Sequence, residues 1–87
     1  MSQFRFSRHA NNNLRLYNIT ENDVETVVAN PDFIMEKDEK ISAIGFLPNK
    51  FFGLPLKVVY KRDGNIFFII TTYPLKNFKG FLDENKL

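Results

Sequence analysis

Residues 56–73 read Leu-Lys-Val-Val-Tyr-Lys-Arg-Asp-Gly-Asn-Ile-Phe-Phe-Ile-Ile-Thr-Thr-Tyr. Two runs rich in β-branched and aromatic side chains around an Asp-Gly pair are the signature of a β-hairpin. With Asp63-Gly64 as a two-residue turn, Tyr60 opposes Phe67, Val58 opposes Ile69 and Leu56 opposes Thr71 on one side of the ribbon. That side is expected to be core. The other side pairs Lys61 with Ile66, Val59 with Phe68 and Lys57 with Ile70, a mixture of cations and large apolar groups that asks for partial cover. A slip of one residue would exchange the two faces. Pro74 is expected to end the last strand. Residues 75–87 then form a tail in which Lys76, Phe78, Lys79 and Phe81 make a basic, aromatic cover for the mixed face.

Working toward the N-terminus, Phe33–Glu36 and Ile41–Phe46 predict a further hairpin across the charged turn Lys37-Asp38-Glu39-Lys40. The loop from Leu47 to Leu54 carries Lys50-Phe51-Phe52-Gly53. Ahead of these strands lie two helix signals. Ala10, Leu14 and Tyr17 fall at i, i+4 and i+7 after Ser7, which suits an N-cap, and so mark one buried stripe. His9 and Asn13 sit beside that stripe, while Arg8, Asn11 and Arg15 point away from it. Asn18 favours the left-handed position that ends a helix, and Ile19 can fold back on Leu14. Thr20-Glu21-Asn22-Asp23 then reads as a new N-cap with acids in the first turn, with Ile19 able to staple onto Val24. Val24, Val27 and Val28 form the buried face of this second helix, which Asn30-Pro31 ends. The alternation of Phe4, Arg5, Phe6 and Ser7 predicts a short leading strand. The fold class is therefore α+β: a short N-terminal strand and a helical hairpin packed on one face of a roughly four-stranded antiparallel sheet.

Composition sets the limits. At 87 residues, 44% hydrophobic with ten Phe, the chain is expected to be a single domain over residues 1–87 with a modest core rather than a disordered segment. The net charge of +2 hides three blocks: residues 1–20 have three Arg and no acid, residues 21–39 have seven acids and one Lys, and residues 40–87 have eight bases and three acids. The acidic block reads as a solvated helix face and turn. Without Cys there is no disulfide, thiolate nucleophile or Cys-built metal site, and a single His cannot build a His cluster. No metal and no cofactor are expected. Neither a signal-peptide core nor an apolar run near the ~18 residues of a membrane span is present, so no membrane contact and a cytoplasmic location are expected. There is no DNA-reading motif.

Several stretches together resemble one known pattern. They are Phe6-Ser7-Arg8-His9-Ala10, Leu14, Asn18-Ile19-Thr20-Glu21-Asn22-Asp23-Val24, Asn30-Pro31-Asp32, Val58-Val59-Tyr60 and Ile70-Thr71-Thr72-Tyr73-Pro74. The pattern is that of small His-Ala-x-x-Arg domains placed near the RelE, ParE and BrnT toxins of toxin–antitoxin pairs. The resemblance spans roughly residues 4–74. It implies a RelE-like fold and a metal-independent endoribonuclease held silent by an antitoxin protein. Where the pattern has Arg four residues after the His, this chain has Asn13, and Tyr17 stands in place of the second Arg. An amide cannot supply the charge of a guanidinium on phosphate.

Metal-free RNA cleavage needs a base for the 2′-hydroxyl, an acid for the leaving oxygen, and cations or hydroxyls around the phosphate. Imidazole is the side chain that changes charge near neutral pH, and His9 is the only one. The candidate catalytic set is His9, Thr71 and Tyr73, the last two sharing a face near the end of the final strand. Arg8, Arg15, Lys57 and Lys61 are candidate RNA-backbone contacts, and Phe51, Phe52, Phe68 or Phe78 are candidate base stackers. Each residue also has a plainer reading. A His at a helix start can cap or border the core, Thr and Tyr are ordinary strand formers, and the Lys residues fit a solvated sheet face. Two further functions stay open on the same scaffold: a catalytically inactive module that binds protein or RNA, and a plain RNA-binding domain resting on the basic last block. An acidic antitoxin that folds on binding is the natural partner of a basic sheet face.

Overall fold

The structure is a computed structural model that describes residues 3–80. Its elements run β1 (Gln3–Phe6), α1 (Arg8–Leu16), α2 (Glu21–Ala29), β2 (Phe33–Lys37), β3 (Lys40–Gly45), a 3₁₀ turn (Phe51–Gly53), β4 (Leu56–Asp63) and β5 (Ile66–Pro74). One five-stranded sheet has the order β1-β5-β4-β3-β2. Strands β2 to β5 form an antiparallel meander, while β1 lies parallel to β5, with Gln3 opposite Ile66 and Phe6 opposite Ile69. The sheet is thus mixed, not the four-stranded antiparallel sheet expected. A parallel neighbour needs a long crossover, and here the entire helical hairpin and meander intervene.

Both helices begin and end as their residues dictate. Ser7 accepts from the Ala10 N–H at 3.0 Å and caps α1. At the far end Asn18 takes φ +55, and the Ile19 N–H returns to the Leu14 carbonyl at 2.8 Å, a Schellman closure with Asn in the left-handed seat. Thr20 and Asp23 exchange side-chain and backbone hydrogen bonds in a capping box, and Ile19 and Val24 on either side of it are buried together. The core then gathers Ala10, Val24 and Val27 from the helices against Ala43, Leu56, Val58, Tyr60, Phe67 and Ile69 from the sheet. Helix α2 lies so close to β3 that a Cβ on Gly45 would stand 3.3 Å from both Val27 methyls. Tyr17, expected in the buried stripe, is 37% exposed. It is the C-cap of α1, where the helix has already turned off its face.

Both hairpins turn more tightly or elsewhere than expected, and the second also differs in register. Asp38 and Glu39 alone form the β2–β3 turn, both at positive φ, with Lys37 and Lys40 paired across it. In the β4–β5 hairpin Gly64-Asn65, not Asp63-Gly64, makes the turn: Asp63 opposes Ile66, and Tyr60 opposes Ile69 rather than Phe67. A slide of two leaves Tyr60, Phe67 and Ile69 on the helix side, where they are buried. Between Val59 and Tyr60 the register then shifts by one, leaving Ile70 unopposed as a bulge. Beyond it the faces exchange. Thr72, opposite Val58, is completely buried and donates to the Lys57 carbonyl at 2.9 Å, whereas Thr71 and Tyr73 turn to the face away from the helices. This corrects the expectation that Thr71 opposes Leu56 in the core. Residues 66–72 alternate too little to fix a face, and the bulge admits the threonine whose hydroxyl can reach a carbonyl.

Across the second face Phe33, Ile44, Lys57 and Tyr73 stand in one row over four strands. Phe78, from the C-terminal tail, packs on Phe33 at 5.4 Å and on Phe46 at 5.2 Å between ring centres. Phe78 thus packs at the β2 end of the sheet and not on the β4–β5 ribbon expected to be covered, where Phe68 stays 42% exposed; Phe81 lies outside the described residues.

Candidate functional site

Where β1 stops at Phe6, one edge of β5 loses its strand partner and must be satisfied by other groups. Ser7 does the first part: its N–H donates to the Ile69 carbonyl at 3.0 Å, and its hydroxyl donates to the Ile70 carbonyl at 2.8 Å. Asn13, on the side of α1 that faces this edge, does the second. Its Nδ2 donates to the Thr72 carbonyl at 3.1 Å and lies 3.4 Å from both Thr71 Oγ1 and His9 Nε2. The two longer contacts set position more than they add energy.

The result is a polar notch at the β5 edge made by His9, Asn13 and Thr71. His9 is exposed. The His9 Nε2 lies 3.4 Å from the Asn13 amide nitrogen, and imidazole is the side-chain type whose chemistry suits a general base. Thr71, turned outward by the bulge, supplies a hydroxyl one link away. The sequence singles out Asn13 only as a departure from a pattern, yet it is the residue that joins the other two.

The remaining candidates distribute unevenly. Tyr73 is two residues farther along β5, with the Lys57 ammonium 5.7 Å from its ring centre. This cation–π contact places Lys57 on the same face as Thr71. Arg8 is exposed beside His9. Arg15, also exposed, donates to Asn12 Oδ1 at 3.2 Å on the outer side of α1. Lys61 lies four residues up β4 from Lys57, about 13 Å away along a strand, and opposes Phe68 near the hairpin end. The structure therefore brings His9 and Thr71 to one Asn13 amide, sets Tyr73 against Lys57 two residues along β5, and leaves Lys61 apart. Among the described residues no group of three or more His, Asp or Glu is placed to hold a metal ion, and no helix is long and apolar enough to cross a membrane.

A second polar element supports the loop below the notch. Asp23, expected on a solvated face, is buried at 5% exposure, and Lys50 Nζ donates to both of its oxygens, at 2.9 and 2.7 Å. Burial pushes the Asp23 carboxyl up, but the hydrogen bonds from Lys50 and Thr20 outweigh it and hold the group below its ordinary value. The ion pair ties the loop after β3 to the start of α2. Next to Lys50, Phe51 and Phe52 both adopt left-handed backbone, φ +55 and +53, and Phe52 is fully exposed. The sequence marks this pair as aromatic but carries no sign of its backbone.

A mixed five-stranded sheet carrying two helices on one face and a His–Asn–Thr notch at its parallel-paired edge defines a small α+β domain. Residues 6–74 match the family described as a domain of unknown function, DUF4258, and the chain belongs to that family. The match runs from the last residue of β1 to the last residue of β5, so it takes in the whole notch. No curated protein and no solved structure matches the chain.

Proposed function

We propose that this chain is an endoribonuclease of the kind the RelE- and BrnT-like toxins represent, working without a metal ion and neutralised by an antitoxin protein. The observation that carries the reading is the exposed His9 Nε2 held 3.4 Å from the Asn13 amide, which in turn lies 3.4 Å from Thr71 Oγ1. His9 takes the proton from a ribose 2′-hydroxyl. The O2′–P bond forms, the P–O5′ bond breaks, and the departing O5′ takes a proton from the imidazolium or from water. Thr71 donates a hydrogen bond to a phosphate oxygen as charge builds, with Asn13 holding Thr71 and His9 in place and Arg8 and Lys57 as the cations of the site. Tyr73 positions Lys57. An acidic antitoxin would lie across the basic second face, over Lys57 and Lys61.

The test is cleavage of single-stranded RNA in buffer containing a chelator, comparing the protein with His9→Ala. Loss of a general base should slow cleavage about 10²–10⁴-fold, and expression of the unaltered protein should slow growth. Intact RNA with the unaltered protein, or equal cleavage by the variant, refutes the reading. A second reading is favoured by Asn13 itself, because its amide is committed to the Thr72 carbonyl where the resembling pattern carries a guanidinium. On that reading the domain binds RNA or a protein without cutting, and His9→Ala leaves its cellular phenotype unchanged.

A further inference from the structure

Two adjoining depressions lie beyond the notch, where the C-cap of α1 meets the loop after β3. One, about 370 Å³, is lined by Tyr17, Asn18, Asn49, Lys50, Phe51 and Phe52. The other, about 210 Å³, shares Tyr17, Phe51 and Phe52 with the first and adds Leu54, Pro74 and Lys76. No acidic residue lines either. Helix α1 connects them to the notch: along its axis Tyr17 stands about 12 Å from His9 and about 6 Å from Asn13.

We infer that these depressions form a nucleobase-binding pocket for single-stranded RNA, with Phe52 and Tyr17 as stacking surfaces. The inference rests on the reading of the chain as an RNA-binding enzyme and names where its substrate sits. Three observations converge. Phe52 is wholly exposed while its backbone is held left-handed, an arrangement that costs about 1–3 kcal/mol and persists at sites that use it. Asn18 and Asn49 line the same hollow, and carboxamides pair with the hydrogen-bonding edges of bases. The cations at the rim, Lys76 and Lys50, with no opposing acid in the lining, suit a phosphate backbone. Lys50 is already bound to Asp23, which leaves Lys76 as the backbone contact. Stacking on an aromatic face is tolerant of base identity, and the paired amides add preference.

The experiment is fluorescence polarisation with a labelled single-stranded oligoribonucleotide, using the full chain carrying His9→Ala so that no substrate is consumed. Adding Phe52→Ala should weaken binding about tenfold or more, the effect of removing one base stack, while Phe52→Tyr retains it. An oligomer lacking bases at its central positions should bind equally with and without the Phe52→Ala substitution. Thermal melting should be unchanged, since the Phe52 side chain is fully exposed. Salt-sensitive RNA binding that Phe52→Ala does not alter overturns the pocket and leaves the RNA reading standing. Absence of RNA binding by any form overturns both. If the unaltered chain elutes as a dimer and Phe52→Ala as a monomer with the same RNA affinity, the patch is a contact between copies and the pocket is refuted.

Discussion

Removing the Lys50 ammonium strands a carboxylate, and the structure sets the size of the effect. Asp23 has a side chain 7% exposed and Lys50 one 40% exposed. Breaking a fully buried pair by deleting one partner costs about 3–5 kcal/mol, and exposed pairs contribute about 0–1 kcal/mol. Lys50 is reached by water, and the Asp23 carboxylate keeps its hydrogen bond from the Thr20 N–H, so Lys50→Met should cost about 2 kcal/mol. For a domain of this length that lowers the melting temperature by roughly 8–16 °C. Asp23→Asn in the Lys50→Met background should recover part of the loss, because a neutral amide can still accept from the Thr20 N–H without stranding a charge. Chain stability also depends on pH through this pair. Asp23 titrates lower in the folded state than its ordinary 3.8, so the unfolded chain binds more protons in that range. Its stabilisation is complete above the unfolded value and is lost as pH falls through the folded one. Urea melts followed by circular dichroism from pH 7 down to 3 would measure both effects. A Lys50→Met protein as stable as the parent at pH 7, or a double variant no better than the single, would show that the pair does not hold the loop.

Three other perturbations follow from the geometry. Ser7→Ala removes both the α1 cap and the bond to the Ile70 carbonyl and should cost about 1–2 kcal/mol in a urea melt; no change would mean that β1 and α1 are joined by packing alone. Gly45→Val should destabilise by about 1–3 kcal/mol, since even its Cβ would crowd Val27, and the same substitution beside Val27→Ala should cost less than the sum of the two. Asn13→Arg should lower stability by about 1 kcal/mol through the lost bond to the Thr72 carbonyl and tighten RNA binding through the added charge. Unchanged RNA affinity at low salt would count against a phosphate beside His9.

Local chemistry is legible in the residues; distant pairing is not. Ser7, Asn18, Thr20 and Asn30-Pro31 mark the helix limits because caps and stops are read from neighbours within a turn. The meander strands follow from β-branched content. The parallel partnership of β1 joins residues 63 apart, such as Gln3 and Ile66, and four alternating residues do not say which strand they will meet. The bulge at Ile70 escapes for a related reason: the run Ile66–Ile70 is apolar throughout, so either face could be inward. His9 and Thr71 are named by their chemistry, and Asn13 takes its role only once β5 presents an unpaired carbonyl. Asp23 reads as solvated because an acid in the first turn of a helix usually is, and its partner Lys50 lies 27 residues downstream.

The pairing of the first strand with the last has a bearing on synthesis. As the chain leaves the ribosome, β1 emerges first and β5 after everything else that forms the sheet, so the N-terminal strand has no mate until nearly the whole domain has been translated. The helices can form early, and the meander can zip as it appears. His9 and Asn13, however, meet Thr71 only when that final segment docks, so a nascent or prematurely terminated product carries the imidazole without its neighbours. The notch is thereby the last part of the sheet region to be completed.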